Sequence, residues 1–153
     1  MNWIVQGLDR EQLLDRLPAI GGAFRQLYES VFELPQVSAE TLELCRLRLA
    51  QLHRSAADFA LEECPVSAPQ RAQLQDWPQS PLFSDEQRAC LAFTEVYAMD
   101  CSAITDAQAD AVKAHIGEEG LVALLQALGV FDGLIRLGLI WQAKPAGVRQ
   151  HGQ

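Results

Sequence analysis

Apolar residues recur at three- and four-residue steps over most of the chain, the spacing that puts them on one face of an α-helix. The clearest case follows Ser38, which is expected to cap a single long helix from Ala39 to about Glu63. Pro65 and Pro69 then end it. Its repeating positions predict one apolar stripe that faces the core: Leu42, Cys45, Leu49, Leu52, Ala56 and Phe59.

Similar patterns predict further helices on both sides of this one. Ser84 and Gln87 form a capping box for one of them, and Pro18 is expected to stop the first. A turn is expected from Gly117 to Gly120. The predicted helices cover about 9–17, 23–33, 70–75, 85–99, a segment from 105, and 121–142. No window alternates with period two, so we expect no strands and predict an all-α bundle of six to seven helices.

The last predicted helix is apolar on nearly its whole circumference, from about Leu121 to Gln142. Such a helix is typical of a protein core or of a subunit interface. A 153-residue monomer has difficulty burying the entire surface of one helix. We therefore expect the chain to be a single domain over residues 1–153 that associates with copies of itself as a homo-oligomer.

Composition narrows the range of partners. The net charge is −8, with 20 acidic and 12 basic residues, which disfavours a nucleic-acid or anionic-membrane partner because phosphate binding needs clustered Lys and Arg. No run approaches 18 uninterrupted apolar residues, so no membrane-spanning segment is expected. The first seven residues lack a secretory signal. We therefore expect a cytoplasmic protein.

The four cysteines, at positions 45, 64, 90 and 101, form no C-x-x-C pair. In a chain of this size without a signal sequence, we expect them to be reduced and buried rather than joined in disulfides.

Three sequence blocks share a pattern with one known family. Residues 43–52 read E-L-C-R-L-R-L-A-Q-L, and residues 77–95 read W-P-Q-S-P-L-F-S-D-E-Q-R-A-C-L-A-F-T-E. The third block, F-D-G-L-I-R-L, covers residues 131–137 and precedes P-A-G at 145–147. Together they resemble the alkylhydroperoxidase AhpD / carboxymuconolactone decarboxylase family over roughly residues 27–147. The resemblance implies an oligomeric all-helical fold and, for redox members, an antioxidant alkylhydroperoxidase activity of peroxiredoxin type.

Redox members of that family carry the motif E-x11-C-x2-C-x3-H, which this chain keeps only in part. The glutamate falls on Glu43, but Ser55, Asp58 and Glu62 stand at the two cysteines and the histidine. The first cysteine of the motif attacks peroxide as a thiolate, and the second closes a disulfide. A serine and a carboxylate cannot run that cycle. The resemblance therefore predicts a redox-inactive member.

Positions 55, 58 and 62 would share one face of a continuous helix. The candidate site therefore consists of Glu43, His53, Ser55, Asp58 and Glu62. Three hypotheses remain open for it. The chain is a redox-inactive binding or structural module, or an acid–base enzyme acting on a small carboxylate or lactone like the family's decarboxylase branch, or a peroxidase that uses Cys45 or Cys64.

The same residues also have purely structural interpretations. Arg54 and Asp58 are spaced to pair on a solvated helix face, Glu43 is spaced to pair with Arg46 or Arg48, and Asp132 is spaced to pair with Arg136. His53, Asp58 and Glu62 lack the spacing of a known metal motif, and the histidines at 115 and 151 lie elsewhere in the sequence. We therefore expect no metal and no cofactor; a small-molecule ligand remains possible under the first two hypotheses.

Overall fold

The computed structural model describes Ile4 and residues 6–147, and the regular secondary structure of these residues is helical. Over the described residues, seven α-helices follow one another: α1 Arg10–Leu14, α2 Pro18–Val31, α3 Ala39–Leu52, α4 Ala56–Ala60, α5 Ala68–Gln73, α6 Asp85–Met99 and α7 Asp106–Trp141. Short 3₁₀ helices follow α5 and α6. Within these residues there is no strand, so the predicted all-α architecture is confirmed. His151 lies outside the described residues.

The centre of the bundle is α3, which packs against α6 and α7. The predicted single apolar stripe is wrong for this helix, because nearly its whole circumference is buried. The enclosed residues include two charged side chains, Glu43 and Arg46, with exposed fractions of 0% and 2%. Charged groups reach such depth only when they are paired and hydrogen-bonded, which makes α3 the first place to look for unusual chemistry.

The single helix predicted from Ala39 to Glu63 is also wrong, since the chain turns sharply after α3. Arg54 adopts a left-handed backbone conformation with φ 56°, which a continuing α-helix does not allow. Ser55 then begins a new helix as the N-cap of α4, with its side chain accepting from the Asp58 backbone N–H. The predicted common face of residues 55, 58 and 62 therefore does not exist.

The first two helices form a tight pair beside α7. Asp9 caps α1 in a capping box with Gln12. Pro18 does not stop a helix but occupies the first turn of α2, where a missing N–H costs nothing. At Gly21, inside α2, a Cβ would come within 2.3 Å of the Leu14 carbonyl oxygen. Glycine therefore allows α1 and α2 to pack closely together at this point.

The long α7 is bent at Gly117, which has φ 72°. The predicted turn is thus confined to one residue, and the helix resumes immediately. One side of α7 packs on α2, α3 and α6. The other side exposes apolar residues: Val122, Leu125, Leu139 and Ile140. By length and composition α7 is able to cross a membrane, but a core helix passes the same test, and 44% of its most apolar window is buried in the protein.

Candidate functional site

A buried cluster of polar groups fills the junction between α3 and α4. The Asp58 carboxylate accepts hydrogen bonds from the Arg10 guanidinium at 2.6 Å and from the Ser55 hydroxyl at 2.5 Å. All three residues are almost fully enclosed, with exposed fractions of 3%, 1% and 6% respectively. Arg10 also donates to the Leu134 carbonyl oxygen of α7 at 3.4 Å. The junction therefore joins α1, α4 and α7 through one matched charge pair.

A second buried ion pair lies directly against this junction. The Arg46 guanidinium donates two hydrogen bonds of 2.7 Å to the Glu43 carboxylate, one turn apart on α3. Arg46 also donates to the carbonyl oxygens of Asp58 at 2.9 Å and Leu61 at 2.7 Å. Burial lowers the pKa of Arg46, but the Glu43 carboxylate outweighs it, and the net shift is upward. Glu43 and Arg46 thus form a buried ion pair that holds the α4 segment against α3.

The structure brings together three of the five predicted site residues and separates the other two. Glu43, Ser55 and Asp58 meet in the buried network around Arg10 and Arg46. Glu62 follows the end of α4 and is exposed. His53 turns towards α7 instead, with its Nε2 atom 2.5 Å from Asp132 Oδ1.

The structural pairings predicted from sequence have mixed outcomes. Asp132 binds Arg136 at 2.7 Å, as the spacing predicts, and also bridges to His53. The expected Arg54–Asp58 pair is wrong, because Asp58 binds Arg10 and Arg54 points to solvent from its turn. Arg54 occupies a left-handed position that glycine favours.

The four cysteines are unpaired and lie in different environments. All four are free, but only Cys45 and Cys90 are buried, so the expectation that all four are buried is wrong. Burial raises the pKa of the Cys45 thiol to about 12 and also raises that of Cys64. A raised pKa leaves less of the thiolate that attacks peroxides at neutral pH.

A cavity of about 440 Å³ opens beside the filled junction. Its wall contains two arginines, four glutamates, three aromatic rings and several aliphatic side chains: Arg10, Glu11, Leu14, Phe24, Arg25, Tyr28, Glu29, Phe32, Glu33, Leu61, Glu63, Leu134 and Ala146. None of the five predicted site residues belongs to this wall. Its volume is within the range of pockets that hold small organic molecules.

Sequence reasoning missed the two side chains that define these features, Arg10 and Tyr28. Arg10 reaches partners 48 and 124 positions away, and no local spacing reveals such contacts. Gly138 of α7 leaves room for it, since a Cβ there would lie 3.4 Å from Arg10 Cδ. Tyr28 reads as one apolar position of an amphipathic helix. Burial raises the pKa of its hydroxyl and outweighs the nearby Arg46 guanidinium, which lowers it, so the hydroxyl stays neutral.

The sequence block at residues 77–95 has a structural role. Arg88 donates to the carbonyl oxygens of Trp77, Pro78, Ser80 and Phe83, which fixes the turn before α6. Glu95 accepts from the Trp77 indole N–H at 2.8 Å and from Arg48 at 2.7 Å. Much of the resemblance therefore lies in residues that hold the bundle together.

Comparison with solved structures identifies the architecture. The chain superposes on a protein of unknown function from Agrobacterium tumefaciens, proposed to be the antioxidant defence protein AhpD, with a TM-score of 0.77 over 91% of this chain and 99% of that one, at 16% identity. This chain has an AhpD-like fold. The debrominase Bmp8, solved as a cysteine-to-alanine variant with 2,3,4-tribromopyrrole, matches the same AhpD-like bundle with a TM-score of 0.76 and 12% identity, over 90% of this chain and 76% of Bmp8.

At the level of sequence, the AhpD-like chain is 29% identical over 94 residues to the uncharacterized protein YnjA of Escherichia coli (strain K12). The match covers 61% of this chain and 50% of YnjA, so the chain spans about half the length of the curated relative it matches. No family model matches the chain. Among the residues that the structure describes, no group of three His, Cys, Asp or Glu side chains is arranged to hold a metal ion.

Proposed function

We propose that this chain is an AhpD-like protein that does not run a cysteine peroxidase cycle and instead binds a small molecule in the cavity beside α1 and α2. One observation carries the proposal: the positions of the family's two cysteines are filled by Ser55 and Asp58. The Ser55 hydroxyl donates to the Asp58 carboxylate, which in turn binds Arg10. The space open to a ligand lies next to that junction, in a cavity that reaches Arg10 and Leu61.

The two enzyme hypotheses receive less support. An acid–base site built from Glu43, His53 and Asp58 needs these groups around one substrate, but His53 contacts Asp132 while Glu43 and Asp58 are tied to arginines. A peroxidase built on Cys45 needs a thiolate, and this thiol is fully enclosed with a pKa of about 12. The free state of the cysteines supports a reducing compartment, and we propose the cytoplasm.

Consumption of organic hydroperoxide with a thiol donor tests the redox half of the proposal. We expect no turnover by the parent protein, and none by Cys45→Ser or Cys64→Ser. Turnover by the parent that is lost in either cysteine variant would overturn the proposal and favour the recruited-thiol hypothesis. Mass spectrometry of the peroxide-treated protein separates a catalytic disulfide from slow surface oxidation.

A ligand-observed NMR screen of small aromatic fragments tests the binding half. Leu14→Trp puts a larger side chain into the cavity wall, and Leu82→Trp makes the same change at an exposed turn outside it. Fragments should bind the parent and Leu82→Trp, and lose binding to Leu14→Trp. Equal binding to all three proteins would place the fragments elsewhere and reject the cavity as the site.

We further propose that the exposed side of α7 mediates homo-oligomer formation. Its apolar residues are substantially exposed, Val122 to 49% and Ile140 to 53%. Size-exclusion chromatography with light scattering should give a mass that is a multiple of 16.9 kDa. Val122→Glu with Ile140→Glu should reduce it towards one subunit. A parent protein that is strictly monomeric at micromolar concentration would contradict this proposal.

A further inference from the structure

The charges around the cavity are unequal. Both arginines of the wall are matched by aspartates that lie outside it: Arg10 by Asp58 at 2.6 Å, and Arg25 by Asp15. Four glutamates belong to the wall itself. Glu11 additionally lies 3.4 Å from Arg10 Nε, which gives that guanidinium a second carboxylate. Glu11 also accepts a hydrogen bond from the Ala146 backbone N–H at 2.6 Å. Among the described residues, the wall therefore carries four carboxylates and two guanidiniums, an excess of negative charge.

The uncharged part of the wall is aromatic on the side formed by α2. Phe24, Tyr28 and Phe32 all face the cavity, and the rings of Tyr28 and Phe32 meet edge to face with centroids 5.8 Å apart. The negative faces of aromatic rings attract organic cations, an attraction that strengthens where water is excluded. Burial raises the pKa of the Tyr28 hydroxyl, so the proton stays on the oxygen.

From these two features we infer that the cavity selects an organic ammonium ion with an apolar or aromatic body. The inference rests on the proposed function, because it names the class of ligand for the same cavity. The glutamates attract the ammonium group, and the rings of α2 and the aliphatic side chains of Leu14, Leu61 and Leu134 contact the apolar body. An anion of the same shape meets carboxylates instead, while both guanidiniums already have carboxylate partners.

Three compounds that share one skeleton test this inference: 2-phenylethylammonium, the neutral 2-phenylethanol, and the anionic phenylacetate. Dissociation constants are measured for each at pH 7 and low ionic strength by ligand-observed NMR. We expect the ammonium ion to bind roughly two- to fivefold more tightly than the alcohol, since a partly exposed carboxylate contributes about that factor to such a contact. Phenylacetate should bind most weakly, and added salt should reduce the difference between the ammonium ion and the alcohol.

A pair of charge-neutralising variants locates the effect. Glu29→Gln with Glu33→Gln removes two carboxylates of the wall, whereas Glu118→Gln with Glu119→Gln removes two exposed carboxylates of α7 outside it. The first double variant should weaken binding of the ammonium ion about fivefold and leave the alcohol unchanged. The second should change neither. An equal loss in both variants would show a non-specific effect of net charge and overturn the inference.

These measurements distinguish a failure of the inferred ligand class from a failure of the proposed function. If the alcohol or phenylacetate binds the cavity as tightly as the ammonium ion, the choice of a cation is wrong while ligand binding in the cavity stands. If none of the three compounds binds and the fragment screen is also empty, the proposed function fails and the inference fails with it.

Discussion

The junction between α3 and α4 and the cavity beside it contain similar side chains, arginines and carboxylates, but use them in opposite ways. In the junction every charged group is enclosed and has a partner within 2.9 Å, so no space remains for a substrate. In the cavity, charges and aromatic rings surround about 440 Å³ of open space. The comparison teaches that residue type alone does not locate a functional site, because the same kinds of charged residue also stabilise the fold.

The difference has a simple energetic origin. Removing an ion from water costs several kcal/mol unless a partner and further hydrogen bonds compensate, so a buried charge constrains everything around it. A charge at the wall of an open cavity keeps part of its hydration and imposes no such constraint. Substitutions in the junction should therefore lower the stability of the free protein. Substitutions in the cavity wall should mainly change the affinity for a ligand.

Asp58→Ala should give the largest effect, because it leaves the Arg10 guanidinium buried without its main partner. We expect a loss of about 3–5 kcal/mol in the free energy of unfolding, measured by urea denaturation. Glu62→Ala, at the exposed family position, is the matched control and should stay within about 0.5 kcal/mol. If the two variants lose equal stability, the buried Arg10–Asp58 pair does not stabilise the fold in the way described above.

Alkaline pH should lower the free energy of unfolding, because thiols that are buried in the folded state ionise in the unfolded state. Burial raises the pKa of Cys45 from 9.0 to about 12 in the folded state. Below pH 9 both states hold the proton; between pH 9 and 12 only the unfolded state loses it, so stability falls as pH rises. This thiol should contribute a slope of about 1.4 kcal/mol per pH unit. In Cys45→Ala, the slope of the free energy of unfolding against pH should be smaller by the contribution of one proton. An unchanged slope would contradict the assignment of this effect to Cys45.

Phe24→Ala should have a smaller effect on stability, since this half-buried ring faces the cavity. We expect a loss of about 1 kcal/mol or less, against about 2–5 kcal/mol for Leu42→Ala in the closed core. Binding of 2-phenylethylammonium should nevertheless decrease strongly in Phe24→Ala. Should stability fall as far as in Leu42→Ala, the cavity wall would be part of the core and the comparison would break down.

Arg54→Gly should produce the smallest change, and in the opposite direction. Glycine relieves the cost of the left-handed backbone at this turn, while its greater freedom in the unfolded chain offsets part of the gain, leaving about 0.5 kcal/mol of stabilisation. Arg54→Ala keeps the strain and serves as the control. Equal melting temperatures for the glycine and alanine variants would mean that the turn is not strained.

The local signals in the sequence predicted the helices better than their relation to one another. Caps at Asp9, Ser38, Ser84 and Thr105 act over three residues, so the sequence alone reveals them. The break after α3 was not predictable from periodicity, because the apolar spacing continues through Ala56 and Phe59 although the backbone turns at Arg54.

The candidate site shows the same limit at longer range. The motif positions identified Glu43, Ser55 and Asp58, and these residues do meet. Their environment depends on Arg10, which is distant in sequence and has no recognisable spacing to them. Pattern reasoning can therefore nominate residues that stand where a family has its chemistry, but only the tertiary structure shows whether a neighbouring side chain has filled that place.

The reach of Arg10 also bears on how the chain folds during synthesis. Its side chain contacts the Leu134 carbonyl group, 124 positions later, so α1 leaves the ribosome long before its final neighbours exist. Contacts with such separation form late. The contact between α1 and α7 therefore forms only after α7 has emerged, whereas α2, the other neighbour of α1, is synthesised directly after it.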